Sequence, residues 1–526
     1  SRMAQQPTSK TLTANSRKPD IIGRRVENRV GQTFASDTLA PAQSALDLRP
    51  VLLVIGILTV ILGVTMMAPA IVDAALGNAD WKSFFVASII TTLIGLGLWL
   101  ATRGTVKGLG IRQAFLMTVA AWIALTTFGA LPIYLSGVVP SFTDAFFEAM
   151  SGLTTTGATV ITHLDSTPPG ILFWRAILQW LGGLGIIVMA VAILPMLQIG
   201  GMQIFKAEAF DTTDAILPRV TQISGAMSLI YIGLTVLCSF SYFFAGMNLS
   251  DAIFHAMTTV ATGGFSTKDA SLGHFNSVTI DTICIVFMVA GSLPFLLWIQ
   301  AFRGQMRPML TDQQVRAFFG ILLMFVLTIW IYETLRGVHF GLDGLRYAAF
   351  NVVSVMTGTG YANDDYGAWG PFSVALFFGI TFIGGCAGST SCGMKVFRIQ
   401  VLFMDLRQHL NRLAFPNGIF IRRFNGRPIP SSVSLAVMAF FFLYLLSFAV
   451  LSVLLTLTGL DTLTAISGAA TSLSNVGPGL GEIIGPSGNF EPLNTTAKWL
   501  LILGMLVGRL EFFTMLVLIL PRFWRS

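Results

Sequence analysis

Charge is what this sequence has least of. Only 11% of its 526 residues are Asp, Glu, Lys or Arg, against 54% hydrophobic, whereas a soluble domain carries roughly a quarter charged residues. That inventory cannot cover a water-facing surface. It excludes an ordinary globular enzyme or a nucleic-acid-binding module, despite a net charge of +7. Cysteine is scarce as well. Cys238, Cys284, Cys386 and Cys392 lie in or near apolar runs without metal-ligand spacing, and they read as small apolar residues. The five histidines are scattered, with no H-E-x-x-H and no carboxylate at helical spacing. No Ser–His pair or paired-Asp motif suggests an intramembrane enzyme. The reading is therefore no catalytic residue, no resident metal centre and no covalently bound cofactor. Residues 1–50 lack the apolar core of a signal peptide and read as a polar cytoplasmic tail, either disordered or forming a short surface helix.

What is present comes in blocks. Residues 51–74, 84–102, 112–136, 171–199, 223–246, 278–302, 317–335, 371–386, 431–458 and 495–520 form ten apolar runs, each at or near the roughly 20 residues that cross a bilayer. Backbone in lipid must satisfy its own hydrogen bonds, so these runs are predicted to be helices. With both ends of the chain inside, the alternate connections hold Arg103, Lys107, Arg112, Lys206, Arg219, Arg303, Arg307 and Arg316. The 395–427 stretch and the two ends bring the total on that side to 25 of the 32 Lys and Arg. The opposite side shows Asp364, Asp365, Glu482 and Glu491. This asymmetry predicts cytoplasmic termini.

Four short segments between the runs resemble one another: FEAMSGLTTTGAT (147–159), FHAMTTVATGGFS (254–266), FNVVSVMTGTGYA (350–362) and SGAATSLSNVGPG (467–479). They align on Gly157, Gly264, Gly360 and Gly477. Ten residues earlier stand Phe147, Phe254, Phe350 and Ser467; six earlier stand the hydroxyls of Ser151, Thr258, Ser354 and Thr471; three earlier stand Thr154, Ala261, Thr357 and Ser474. Each segment is too short to span. It reads as a half-helix, capped in three copies by Asp144, Asp251 or Asp461, followed by an extended turn. The fold class follows: an all-α integral membrane protein with a fourfold pseudo-repeat of helix, pore half-helix, filter turn and helix around a central ion pore, plus an N-terminal helix pair. The expected boundaries are 51–102 for the pair, then 112–199, 223–302, 317–404 and 431–520 for the repeats.

The chemistry of such a unit is cation coordination. A dehydrated cation needs oxygens in place of water, and backbone carbonyls supply them without fixed charge. Glycine allows the positive φ that turns successive carbonyls one way. The half-helix directs the negative end of its dipole toward the pore.

With these strings, and with QWLGGLGI (179–186), GGMQIFKAE (201–209), GGCAGSTSCGMKV (384–396) and GRLEFFT (508–514), residues 50–526 resemble the Trk/Ktr/HKT superfamily of K⁺ transporters, most closely its TrkH/TrkG branch. The resemblance implies K⁺ uptake across the bacterial inner membrane and a homodimer with one pore per protomer. It also implies a cytosolic TrkA-like regulator that carries ATP/ADP or NAD(H), and contact with membrane lipid but not nucleic acid. Carried onto matching positions, it places K⁺ contacts at Thr155, Thr156 and Gly157, at Thr262, Gly263 and Gly264, at Gly358, Thr359 and Gly360, and at Asn475, Val476 and Gly477. One glycine alone is common to all four turns, which predicts few K⁺ sites and modest discrimination against Na⁺ or Rb⁺.

The eighth run breaks into Gly384, Gly385, Cys386, Ala387, Gly388, Ser389, Thr390, Ser391, Cys392 and Gly393. Such backbone survives at membrane depth only against protein or in a cavity, and the resemblance makes it an intramembrane gate loop. Arg509 lies inside the last run. A buried intramembrane charge is a functional-site hypothesis by default, and Arg509 is expected to face the pore below the filter against the 384–393 loop. Glu511, two residues on, faces another side of the helix. Residues 395–427 and 200–222 are candidate docking stretches for the regulator. Competing readings are a K⁺/H⁺ or K⁺/Na⁺ symporter, which requires ionisable groups beside the site, and the channel-like subunit of a K⁺-pumping ATPase.

Overall fold

The computed structural model describes residues 46–104, 110–192 and 216–524. The tail up to residue 45, the string 201–209 with Lys206, Lys107, and most of the 200–222 docking stretch lie outside the described residues.

An N-terminal hairpin precedes the repeats: α1 (Arg49–Thr65) with its continuation α2 (Met67–Ala75), then α3 (Trp81–Thr102). It is tied to the first repeat by Asp73, whose Oδ1 accepts the Gly170 N–H at 2.7 Å. Gly170 sits in the first turn of α6 (Pro169–Ala192), where backbone N–H groups have no partner within the helix.

Repeat 1 is α4 (Ile111–Ser136), the half-helix α5 (Phe142–Leu153) and α6. Repeat 2 is α7 (Ile216–Phe244), the half-helix α8 (Leu249–Val260), α9 (Val278–Ser292) and α10 (Phe295–Phe302). After α11 (Arg307–Thr311), repeat 3 is α12 (Gln313–Arg336), the half-helix α13 (Gly341–Met356), α14 (Pro371–Thr381), a loop, and α15 (Val396–Ala414). A two-residue hairpin, β1 (Arg423–Phe424) with β2 (Arg427–Pro428), leads to repeat 4: α16 (Ser431–Leu457), the half-helix α17 (Thr462–Ser474), α18 (Thr495–Arg509) and α19 (Phe513–Ile519). The short α20 (Pro521–Trp524) follows.

The ten apolar runs do not become ten straight spans. Seven described helices are long and apolar enough to cross a membrane, and the count reaches nine if each bent pair is one span. The first helix of every repeat is continuous. The second helix is continuous only in repeat 1. It bends by 101° between α9 and α10, gives way to a loop after α14, and bends by 111° between α18 and α19. The sequence reading located only the break in repeat 3. The repeat 2 bend has a legible cause: Pro294 has no N–H and holds Leu293 in an extended conformation (ψ 154°). In repeat 4 the bend falls at Glu511, whose φ is +59°, with no proline to announce it.

The half-helix caps also differ from expectation. Only Asp461 is an N-cap, with Oδ2 accepting the Thr464 N–H at 3.1 Å. Ser141 and Asn248 cap the first two half-helices. Asp144 and Asp251 stand three residues further in and accept from the cap side chains, at 2.7 Å from Ser141 Oγ and 2.8 Å from Asn248 Nδ2. The physical reason is that the cap must have extended backbone, and the chain turns helical one residue after Ser141 and Asn248.

Candidate functional site

Each half-helix runs into its turn in the same way. The N–H one residue before the aligned glycine donates to the carbonyl six residues before it. These bonds are Thr156 to Ser151 at 2.8 Å, Gly263 to Thr258 at 2.9 Å, Thr359 to Ser354 at 2.9 Å and Val476 to Thr471 at 3.1 Å. The repeated hydroxyl position thus acts first through its backbone. Two of the four side chains also brace the turn: Ser354 Oγ donates to Tyr361 O at 2.6 Å, and Thr258 Oγ1 pairs with the Tyr361 hydroxyl. The Ser151 and Thr471 hydroxyls have no hydrogen-bond partner among the described residues.

Two positions per turn are left-handed. One is the aligned glycine, at φ 89°, 77°, 84° and 108° for Gly157, Gly264, Gly360 and Gly477. The other lies two residues earlier: Thr155 at 51°, Thr262 at 50°, Gly358 at 76° and Asn475 at 52°. The second position was not legible, because three of its four occupants are not glycine. Such residues are held there only when their surroundings demand it.

The glycines close a ring. A Cβ on Gly157 would come within 3 Å of Gly263 O, one on Gly264 of Thr359 O, one on Gly360 of Val476 O, and one on Gly477 of Thr156 O. Each glycine therefore faces the carbonyl before the glycine of the next repeat, in the order 1, 2, 3, 4 and back to 1. All twelve residues expected to contact the ion lie in these four turns, and none is exposed. All four glycines border one cavity on one face of the ring, together with Arg175 and Lys268.

The 384–393 loop crosses the opposite face. It carries all the residues expected there: Gly384, Gly385, Gly388, Ser389, Thr390 and Gly393. Its backbone is paired: Cys386 N–H with Ser292 O at 3.0 Å, Thr390 N–H with Gly291 O at 3.1 Å, Ala387 N–H with Gln314 Oε1 at 2.7 Å, and Gly388 O with Phe295 N–H at 2.9 Å. The loop reaches three turns and the last helix. Cys392 Sγ is 3.4 Å from Thr155 Oγ1, Thr390 Oγ1 accepts from Thr262 Oγ1 at 3.1 Å, and Ser391 Oγ donates to Thr357 O at 2.7 Å. Arg509 Nη1 is 2.5 Å from Cys392 Sγ and 3.4 Å from Thr390 O. Cys392 is thus a polar contact and not the apolar filler its sequence neighbours suggested. The cavity between loop, Arg509 and Asn475 measures about 30 Å³. One water needs roughly 10–15 Å³ of such space, so a hydrated cation does not fit. Among the described residues, no carboxylate lies within 4 Å of Arg509; Glu511 instead pairs with Arg398 at 2.6 Å.

Several residues of the site escaped the sequence reading. Arg175 and Glu148 form a buried ion pair at 2.7 Å. Glu148 accepts the Thr159 hydroxyl and the Val160 N–H, both at 2.9 Å, while Arg175 donates to Ser266 O at 2.8 Å and lies over the Phe265 ring at 4.0 Å. The pair therefore ties turns 1 and 2 together. Lys498 on α18 pairs with Asp144 on α5 at 2.6 Å. Gln179 Nε2 donates to Gly263 O at 2.7 Å, and its Oε1 accepts the Phe265 N–H at 3.0 Å. The signal that made Arg509 stand out, a charge inside an apolar run, applies equally to Arg175 and Lys498.

Known proteins resemble this chain along most of its length. The profile of the TrkH family, described as a cation transport protein, matches residues 81–526. The chain is 43% identical over 478 residues to the Trk system potassium uptake protein TrkI of Halomonas elongata, covering 91% of this chain and 97% of that one. It is 39% identical over 486 residues to the Trk system potassium uptake protein TrkH of Escherichia coli K12, covering 91% and 99%. The crystal structure of the potassium transporter TrkH from Vibrio parahaemolyticus superposes with a TM-score of 0.85 at 39% identity, covering 91% of this chain and all of that one.

Proposed function

The chain belongs to the TrkH family of cation transport proteins, and from that premise we propose that it takes up K⁺ through a channel-like pore. The observation that carries this reading is the ring, in which four glycines each face the next repeat's carbonyl. Oxygens arranged this way replace the hydration shell of an ion without adding a fixed charge. K⁺ is the cargo because the relatives that cover nearly their whole length with this chain are potassium uptake proteins. The twelve turn residues, from Thr155–Gly157 to Asn475–Gly477, are its contacts. The four repeats, 112–199, 223–302, 317–404 and 431–520, share the filter, and the N-terminal pair 51–102 packs outside it.

The 384–393 loop and Arg509 form the gate. The loop blocks the passage, and the guanidinium, with no carboxylate within 4 Å among the described residues and with Glu511 taken up by Arg398, repels a cation leaving the filter. Transport is passive: Glu148, which accepts from Thr159 and Val160 just past turn 1, is neutralised by Arg175 and is a poor candidate for a travelling proton or Na⁺. The protein lies in the bacterial inner membrane with both termini in the cytoplasm. It works as a homodimer, a reading supported by the exposed apolar stripe of Phe403, Leu406, Leu410 and Leu413 on α15. A cytosolic TrkA-like partner carrying ATP/ADP or NAD(H) docks on the basic 395–427 stretch and moves the loop.

The test is ⁸⁶Rb⁺ uptake into liposomes that contain the purified protein. Uptake that K⁺ competes away is expected. No cation flux, with or without the nucleotide-loaded partner, refutes the reading.

A further inference from the structure

The four turns are not braced alike. In repeat 1 the hydroxyls three residues and one residue before the glycine bond each other, Thr154 to Thr156 at 2.7 Å. Repeat 3 repeats the device, with Thr357 to Thr359 at 2.8 Å. In repeat 4, Asn475 Nδ2 anchors to Met505 O at 2.8 Å and reaches across to Thr156 Oγ1 at 2.9 Å. Repeat 2 has Ala261 and Gly263 at the two hydroxyl positions and can make no such bond.

Its brace comes from another repeat. Gln179, on α6 of repeat 1, is fully buried. It donates to the carbonyl before Gly264 and accepts from the N–H after it. One planar amide thus brackets a glycine held at φ +77° from both sides. A Cβ on Gly263 would fall within 3 Å of that amide, so the space a threonine fills in repeats 1 and 3 is filled here by Gln179. Gly263 O is also the oxygen that Gly157 faces across the ring.

We propose that Gln179 is a specificity-determining residue: it replaces the hydroxyl pair missing from repeat 2 and holds the Gly263 carbonyl where the ring distinguishes K⁺ from the smaller Na⁺. The inference rests on the pore reading above. Gln179 touches the filter backbone and not the ion, so it acts by position. A carbonyl released from its donor can swing to follow a smaller ion, and discrimination falls because the ring no longer imposes one size. The carbonyl keeps a second lone pair for the ion while it accepts from the amide.

The experiment compares K⁺ and Na⁺ uptake into proteoliposomes for wild type, Gln179→Glu and Gln179→Met. Methionine keeps the bulk and removes both bonds; glutamate is the conservative variant, because a carboxyl buried against a carbonyl takes up a proton and then donates to Gly263 O while accepting from the Phe265 N–H. The K⁺:Na⁺ uptake ratio is expected to fall about tenfold in Gln179→Met, the scale of one net hydrogen bond, and to recover at least in part in Gln179→Glu. An unchanged ratio in Gln179→Met overturns the proposal. If Gln179→Met passes no ion, thermal unfolding of the purified protein in K⁺ against Na⁺ reads the filter directly. A wild-type preference for K⁺ stabilisation then overturns the proposal, and loss of that preference supports it. Wild-type protein that passes neither ion defeats the pore reading itself, whereas a selective wild type with an unaffected Gln179→Met defeats only the role of Gln179.

Discussion

Replacing Arg509 with alanine is the most direct test of how the pore is closed. The guanidinium Nη1 lies 2.5 Å from Cys392 Sγ, which lies 3.4 Å from Thr155 Oγ1, so the charge is close to the loop-side end of the filter. For a K⁺ bound at the proposed Thr155 contact, taken as about 7 Å from the guanidinium, two unit charges repel by about 2 kcal/mol at an effective dielectric near 20. Each 1.36 kcal/mol is tenfold, so the barrier is worth roughly thirtyfold in rate. Folding should survive the change: two of the three hydrogen bonds made by Arg509, to Thr390 O and Gly182 O, are long at 3.4 and 3.5 Å. The assay is initial ⁸⁶Rb⁺ uptake into proteoliposomes without the regulatory partner. Arg509→Ala should raise uptake up to about thirtyfold, and Arg509→Lys, which keeps the charge, should stay close to wild type. If uptake by Arg509→Ala is unchanged, the charge is not the barrier. If alanine and lysine rise together, packing and not charge is what Arg509 provides.

Four further outcomes follow from the same structure. Gly264→Ala forces an L side chain into a left-handed φ of 77° and against Thr359 O; it should abolish K⁺-selective uptake, and selective uptake at the wild-type level would contradict the ring. Glu148→Gln leaves Arg175 buried without its anion, at a cost of about 3–5 kcal/mol, read as a lowered Tm in detergent; an unchanged Tm would mean that the pair is not what joins turns 1 and 2. Asp461, an N-cap whose bonds from Thr464 hold its carboxyl below the usual carboxylate range, stabilises α17 at pH values above its unfolded pKa and loses that contribution as pH falls through the lower folded value. Asp461→Ala should therefore cost about 1 kcal/mol at neutral pH, with the difference from wild type shrinking in acid. Cys392, 5% exposed beneath the filter, should react with a small methanethiosulfonate faster in Arg509→Ala than in wild type, as counted by mass spectrometry of the labelled peptide; equal rates would argue against movement of the loop.

The fold class was legible because a bilayer simplifies the problem. Length and apolarity fix which runs are helices, and four copies of one pattern reveal a turn that a single copy would hide. The aligned glycines were legible for the same reason: φ and space both forbid a side chain there, so the residue type itself carries the signal. The break at Gly384 and the charge of Arg509 were readable as violations of what lipid permits.

The rest depended on contacts between segments far apart in the chain. Nothing near Gln179 says that its amide faces Gly263, 84 residues on, because a buried glutamine advertises its need for partners but not their address. Thr155, Thr262 and Asn475 take left-handed backbone that their side chains disfavour, so the ring and not the residue type decides it. Cys392 looked apolar from its sequence neighbours and became a polar contact only when α18 brought Arg509 beneath the ring of turns. The sequence alone determined helices, repeat and glycine register, which are local consequences of solvent and sterics. Which repeat braces which, and what lies under the ring, was decided only by tertiary structure, because buried polar groups are satisfied by whatever the fold brings to them.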